Sequence, residues 1–127
     1  MSNQVLSTSL APAALGPYSQ AIKVGNMVFC SGQIPINPAS GAIEASTIED
    51  QTQQVIKNLA AVLEAAGSGL DKVVKTTCFL TDINDFAVFN EIYAQYFPGR
   101  PARSCVEVSK LPKGALVEIE AIAEIAG

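Results

Sequence analysis

Between Val117 and Ile125 the chain reads VEIEAIAEI, in which Val117, Ile119, Ala121, Ala123 and Ile125 alternate with Glu118, Glu120, Ile122 and Glu124. In an extended backbone successive side chains point to opposite sides, so a period of two predicts a strand over about 115–125 with one apolar and one carboxylate-bearing face. Such a strand is not stable alone. It needs neighbouring strands beside it and a layer of helix over one face, which restricts the chain to folds that contain a half-covered sheet.

Two other stretches carry the helical period. Behind Ser46 and Glu49, which fit a capping box, Ile48, Val55, Leu59, Val62, Leu63 and Ala66 recur at helical spacing until Gly67, predicting a helix over 47–66. A second is predicted over 83–97, with Phe86, Phe89, Tyr93, Tyr96 and Phe97 on one face and Pro98, Gly99 and Pro101 as stops. DKVVKTTCFLTDI is rich in β-branched residues and reads as a strand. QAIKVGNMVFCSGQIP reads as two strands joined at Gly25-Asn26, a pair that accepts the positive φ of a tight hairpin. NPASGAIEA is a turn-rich loop, and a strand over 103–109 precedes the last one. The order β-β-α-β-α-β-β predicts an α+β fold in one domain spanning 1–127, a mixed sheet with two helices packed on one face. The second face must then be solvated or covered, and association of identical chains is the simplest cover.

Composition agrees with that expectation. The 127 residues are 49 % hydrophobic and only 16 % charged, against ~25 % charged in ordinary soluble domains. Twelve Asp and Glu against eight Lys and Arg give a net charge of −4, whose average field repels phosphate backbones and disfavours nucleic acid as a partner. No apolar run approaches the ~18 residues of a membrane span, so no membrane partner is expected. Cys30, Cys78 and Cys105 are odd in number, lack C-x-x-C spacing and follow no secretory leader, which predicts a reduced, cytoplasmic setting. The first 22 residues hold no Lys or Arg and so do not resemble a mitochondrial presequence; a matrix protein whose presequence has been removed stays open. The chain has no histidine, and neither a metal site nor a cofactor is expected.

Several residues have both a structural and a chemical reading. In RPARSCVEV, strand alternation puts Arg103, Cys105 and Glu107 on one side. Arg103 reads either as a solvated strand end or as a planar fork that binds a small carboxylate or phosphate in two places. Cys105 is a small buried hydrophobe or a nucleophilic thiol, and with no histidine in the chain it lacks the usual base for the second. Glu118 and Glu120, on one side of the last strand, form a solvated face, or one of them is pressed into an apolar cleft where its raised pKa lets it handle a proton or a water. Tyr18 reads as an interface aromatic. Ser31 is a plain strand hydroxyl, or Ser31-Gly32 offers a hydroxyl and an approachable backbone N–H to an anion, and Asn90 is helix surface or a hydrogen bond into a cleft.

Taken together, APAALGPYSQA, GNMVFCSGQIPINPASG, QTQQVIKNLAAVLEAAG, VVKTTCFLTDINDFAVFNEIYAQYF and PARSCVEVSKLPKGALVEIEAIA resemble the RidA (YjgF/YER057c/UK114) family, the reactive-intermediate deaminases. The match covers about residues 11–125, and PARSCVEV…LP…VEIEAIA is a specific signature. The resemblance implies a chorismate-mutase-like α+β fold and a homotrimer with a barrel-like centre and sites between subunits. It implies hydrolysis of 2-iminobutanoate and 2-iminopropanoate, enamine/imine products of pyridoxal-phosphate dehydratases, to 2-oxo acids and ammonia. The carboxylate-binding arginine of the family falls on Arg103, and its water-holding glutamate on Glu118. Its substrate-pocket residues fall on Tyr18, Ser31, Gly32, Asn90 and Cys105. Expected partners are therefore small 2-imino and 2-oxo carboxylates and two further copies of the chain. Members of the family are also described as endoribonucleases that inhibit translation and as chaperone-like holdases. The missing histidine and the acidic balance weigh against the first, and the few Lys and Arg against the second.

Overall fold

The computed structural model describes residues 3–125. In chain order these form β1 (Gln4–Leu6), β2 (Ala21–Val24), β3 (Met27–Gln33), a small hairpin of β4 (Ile36–Asn37) and β5 (Ala42–Ile43), α1 (Ile48–Ala65), β6 (Val73–Leu80), α2 (Phe86–Tyr96), β7 (Ala102–Glu107) and β8 (Val117–Glu124). The main sheet runs β1-β2-β3-β8-β6-β7. All its neighbours are antiparallel except β6 and β7, which α2 joins as a parallel crossover. This is the α+β arrangement that the sequence predicts. Among the described residues no helix is long and apolar enough to cross a membrane.

β8 is last in the chain but lies between β3 and β6. Its alternation explains the position, because a central strand has both edges paired and one face under the helices. Val117, Ile119, Ala121 and Ala123 are the helix-side set, and none is more than 2 % exposed. Over them α1 lays Val55, Ile56, Leu59, Val62 and Leu63, all fully buried, each contributing about 1.5–3 kcal/mol by leaving water. Glu118, Glu120, Ile122 and Glu124 take the opposite face. There Val24, Phe29 and Val106 stay 42–45 % exposed, the bare apolar surface that a half-covered sheet leaves.

The ends of the helices refine three expectations. The N-cap of α1 is Thr47, whose Oγ1 accepts from the Asp50 N–H at 3.2 Å, so the capping motif sits one residue later than Ser46 and Glu49. At the other end Gly67 takes φ 81°, and the Ser68 N–H reaches back to the Leu63 carbonyl at 2.8 Å in a Schellman turn. Residues 83–85 form a separate 3₁₀ turn before α2, tied to β7 by Glu107, which accepts from the Ile83 N–H at 2.8 Å. Of the predicted aromatic face Phe89, Tyr93 and Phe97 are buried, joined by Ile92, and Phe86 is half-buried. Tyr96 is not: at the last turn of α2 it meets α1 instead of the sheet and donates to Gln53 Oε1 at 3.2 Å.

Candidate active site

The strand register divides the predicted site residues into two groups. One row across the helix-side face runs Ala21, Cys30, Ala121, Thr76 and Arg103, each opposite the next in adjoining strands. Four of these are buried and pack the core. Arg103 ends the row because β7 is an edge strand, and its guanidinium reaches out beneath α2. There Nη1 donates to Asn90 Oδ1 at 2.7 Å, while the guanidinium carbon lies 4.8 Å from the Tyr93 ring centre and 5.5 Å from that of Phe86. Tyr93 is itself fixed by a 2.7 Å hydrogen bond to Thr76. Asn90 therefore hydrogen-bonds into a cleft and is not idle helix surface, and one of the five guanidinium N–H donors is used in orienting the fork.

The cleft is a cavity of about 640 Å³ lined by Asn90, Tyr93, Phe97, Arg100, Pro101 and Arg103 among others. Neither Phe86, Tyr93 nor Arg100 stood out as a site residue in the sequence. The i, i+3, i+7 spacing from Phe86 marked the two aromatics as core, and their second role, flanking a cation, depends on Arg103 lying directly below them. Cys105 follows on the same side of β7, in register with Cys78. Burial raises the Cys105 thiol above its usual pKa, against a downward pull from Arg103, and burial takes Cys78 up to about 12. Both stay as S–H groups, which does not suit Cys105 to nucleophilic attack, and its half-buried side chain packs against the core.

Glu118, Gly32, Ser31 and Tyr18 form the second group. Between the pairs Cys30–Ala121 and Gln33–Ile119 the β3–β8 ladder shifts register, and this bulge falls on Ser31-Gly32. It brings the backbone of Gly32 under the Glu118 carboxyl: a Cβ on residue 32 would lie 2.8 Å from Glu118 Cδ and 3.0 Å from Cγ. Only glycine leaves that space. The Ser31 hydroxyl donates to the Ser19 carbonyl at 2.6 Å and its N–H to the Gln20 carbonyl at 2.9 Å, so Ser31 fixes the Tyr18–Gln20 segment against the bulge. Gln20, buried and unnoticed in the sequence, anchors the other side by donating to the carbonyls of Thr8 and Pro12 at 3.1 and 2.7 Å. Tyr18, 54 % exposed, and Gly32 line a cavity of about 280 Å³ together with Pro112 and Lys113. Burial, with a smaller contribution from Glu120, raises the Glu118 pKa, so this carboxyl holds its proton more readily than an ordinary glutamate.

The two groups do not meet within one chain. Glu118 is opposite Phe79, and Phe79 is opposite Val106, so Glu118 shares the face of Val106 while Arg103 is on the other. Two strand spacings, about 10 Å, separate β8 from β7, and the sheet itself stands between the side chains. Among the described residues no group of three or more Cys, Asp and Glu is placed to hold a metal ion.

Residues 8–125 match the family model described as Endoribonuclease L-PSP. The chain belongs to that family. It is 57 % identical to a RutC family protein of Pyrococcus horikoshii over 121 residues, 94 % of this chain and 96 % of the relative. It is 49 % identical to the mouse 2-iminobutanoate/2-iminopropanoate deaminase, over 94 % of this chain and 90 % of that protein. A crystal structure of Escherichia coli TdcF with bound serine superposes with a TM-score of 0.92 at 44 % identity, covering 97 % of this chain and 99 % of TdcF.

Proposed function

We propose that this protein is a deaminase that hydrolyses 2-iminobutanoate, 2-iminopropanoate and related 2-imino acids, in sites shared between adjacent copies of a homotrimer. The observation that carries the reading is the division of the candidate site: the group suited to a carboxylate, Arg103, and the group suited to a water or proton, Glu118, lie on opposite faces of the sheet. A small substrate can touch both only when the Arg103 side of one copy faces the Gly32–Glu118 side of another. The unpaired edge of β7 and the exposed Val24, Phe29 and Val106 supply a surface that such an assembly would cover. The mouse relative's name and the serine in TdcF support a substrate built as a small amino-acid derivative.

The chemistry follows from these groups. Arg103, held by Asn90, pairs with the substrate carboxylate, and the Gly32 N–H beside Ser31 adds a donor on the facing copy, which fixes the C=N carbon in place. Glu118, whose raised pKa suits it to proton transfer, holds a water over that carbon and takes its proton as the C–O bond forms. Glu118 returns that proton to the nitrogen of the carbinolamine, then takes the hydroxyl proton and passes it to the same nitrogen as the C–N bond breaks, releasing ammonia and leaving the 2-oxo acid. Imines already hydrolyse in water, so the barrier to be removed is modest, and each tenfold in rate requires only ~1.4 kcal/mol. An endoribonuclease reading, though it shares the family's name, has less support in a chain with no histidine and a net charge of −4.

Mixed subunits test this reading directly. Arg103→Ala and Glu118→Gln homotrimers are each expected to lose acceleration of 2-iminobutanoate hydrolysis, generated by a threonine dehydratase and followed with semicarbazide. When the two variants are unfolded together and refolded 1:1, about a quarter of the sites in a closed ring receive both intact residues, and activity returns. No recovery in mixed trimers would refute the shared site, and undiminished activity in either homotrimer would refute the residue assignment.

A further inference from the structure

The cavity beneath α2 contains a second cation that the proposed reaction on a monocarboxylate does not use. Arg100 lines it together with Arg103, and among the described residues no carboxylate does, so the two formal charges on its described wall are both guanidinium groups. The remainder of the wall is Tyr93, Phe97, Pro98 and Pro101, with Asn90 and Ala94, and the space of about 640 Å³ is far larger than a four-carbon imino acid needs.

Arg100 is also held in an unusual backbone conformation. Its φ is 52°, in the left-handed region that favours glycine, although Gly99 is immediately before it. The Arg100 N–H closes a turn onto the Phe97 carbonyl at 3.2 Å, and Pro101 follows directly, so the tight link from α2 into β7 determines where this side chain starts. A non-glycine residue in this conformation is strained, and such strain persists where the surroundings enforce it. A glycine would relieve the strain but would remove the guanidinium.

On the reading that Arg103 binds the substrate's 1-carboxylate, we propose that Arg100 binds a second carboxylate at the far end of the substrate, so that the site prefers 2-imino dicarboxylates such as 2-iminosuccinate and 2-iminoglutarate. Two guanidinium groups lining one cavity offer a planar fork to each of two carboxylates. The reaction is the same: water adds to C=N, the C–N bond breaks, and ammonia leaves a 2-oxo dicarboxylate. The reactions that would supply such a substrate are oxidations of acidic amino acids at the α-carbon, in which the amine becomes the imine. Because Arg100 is exposed, its contribution is screened by salt, so the preference should weaken as ionic strength rises.

The test compares kcat/KM for 2-iminosuccinate, generated in place by an L-aspartate oxidase, with that for 2-iminobutanoate, in wild type, Arg100→Gln and Arg100→Gly. The wild-type ratio is expected to favour the dicarboxylate and to fall at least about tenfold in both variants, toward the salt-insensitive ratio of a one-carboxylate site. Arg100→Gly should in addition raise Tm, since it relieves the φ strain, which separates lost recognition from lost folding. Binding of the stable products gives an independent measurement: 2-oxoglutarate should bind wild type more tightly than 2-oxobutanoate, and Arg100→Gln should reverse that order. A protein that accelerates 2-iminobutanoate hydrolysis but whose ratio is unmoved by either substitution overturns the Arg100 inference alone. One that accelerates neither substrate overturns the deaminase reading on which it rests.

Discussion

Replacing Gly32 with alanine adds one methyl group beside Glu118 without changing any charge. The new Cβ would lie 2.8 Å from Glu118 Cδ and 3.0 Å from Cγ, where carbon atoms ordinarily sit at ~3.5–4.0 Å, so one side must retreat by about 1 Å. The bulge is poorly placed to move. Its flanking pairs Cys30–Ala121 and Gln33–Ile119 belong to the central ladder, and Ser31 holds it through bonds of 2.6 and 2.9 Å to Ser19 and Gln20. Gly32 is not in the left-handed region, so alanine fits the backbone, and the flexible carboxylate is the part that yields. A displacement of about 1 Å in a group that positions water costs on the order of 10²-fold in rate, while stability should be unchanged or slightly raised by the stiffer unfolded chain. Steady-state hydrolysis of 2-iminobutanoate in the dehydratase assay, with a thermal melt of the same preparation, measures both quantities. A Gly32→Ala protein whose kcat/KM is within about twofold of wild type would show that the position of Glu118 over residue 32 is immaterial to the reaction.

Two further substitutions test other parts of the molecule. Because burial raises the Glu118 pKa, the folded protein retains a proton there that the unfolded chain has already released above the ordinary value of 4.5, so stability falls as pH climbs through that window. Glu118→Gln removes this penalty: its denaturation midpoint should match wild type below pH 4.5 and exceed it at pH 7, and a lower midpoint at pH 7 would make Glu118 a structural partner. Thr52 of α1 is fully buried, and its Oγ1 has no hydrogen-bond partner among the described residues. The isosteric Thr52→Val should gain about 1 kcal/mol, roughly 4 °C in Tm, and a loss of stability would mean that the hydroxyl is satisfied.

The elements that the sequence predicts well are those long enough for a period to repeat. α1 and β8 repeat theirs several times, and both match to within about two residues, the usual spread in assigning element ends. β1, with three residues, and the hairpin β4–β5, with two in each strand, are too short to repeat anything and were not foreseen. Loop 34–45 is nonetheless held tightly, by buried amides on the sheet side of α1. Asn58 donates to the carbonyls of Ile34 and Ile36 at 3.2 and 2.9 Å, and Gln51 donates to that of Ala45 at 3.0 Å while accepting from the Leu116 N–H at 2.8 Å. A polar residue at a core position of a helix was the available signal, because an amide is buried there only when its partners are supplied.

The site was legible to a different degree. Spacing could place Arg103 and Cys105 on one side of a strand, and Glu118 on one side of another, but it could not relate the two sides, since that depends on the order of strands in the sheet. Once β8 is seen to be central and β7 to be an edge, the register fixes the outcome: Arg103 is in the row of Ala121, on the helix side, and Glu118 in the row of Phe79, on the bare side. The alternation in VEIEAIAEI thus has two consequences. Its apolar half, Val117, Ile119, Ala121 and Ala123, fills the core of one chain. Its acidic half carries Glu118 on the face that the helices leave uncovered, with the sheet between it and Arg103 of the same chain. If the reaction needs both Arg103 and Glu118, assembly is then a requirement of the chemistry as well as a cover for apolar surface, and a variant that folds but stays monomeric should be as inactive as one that lacks Arg103.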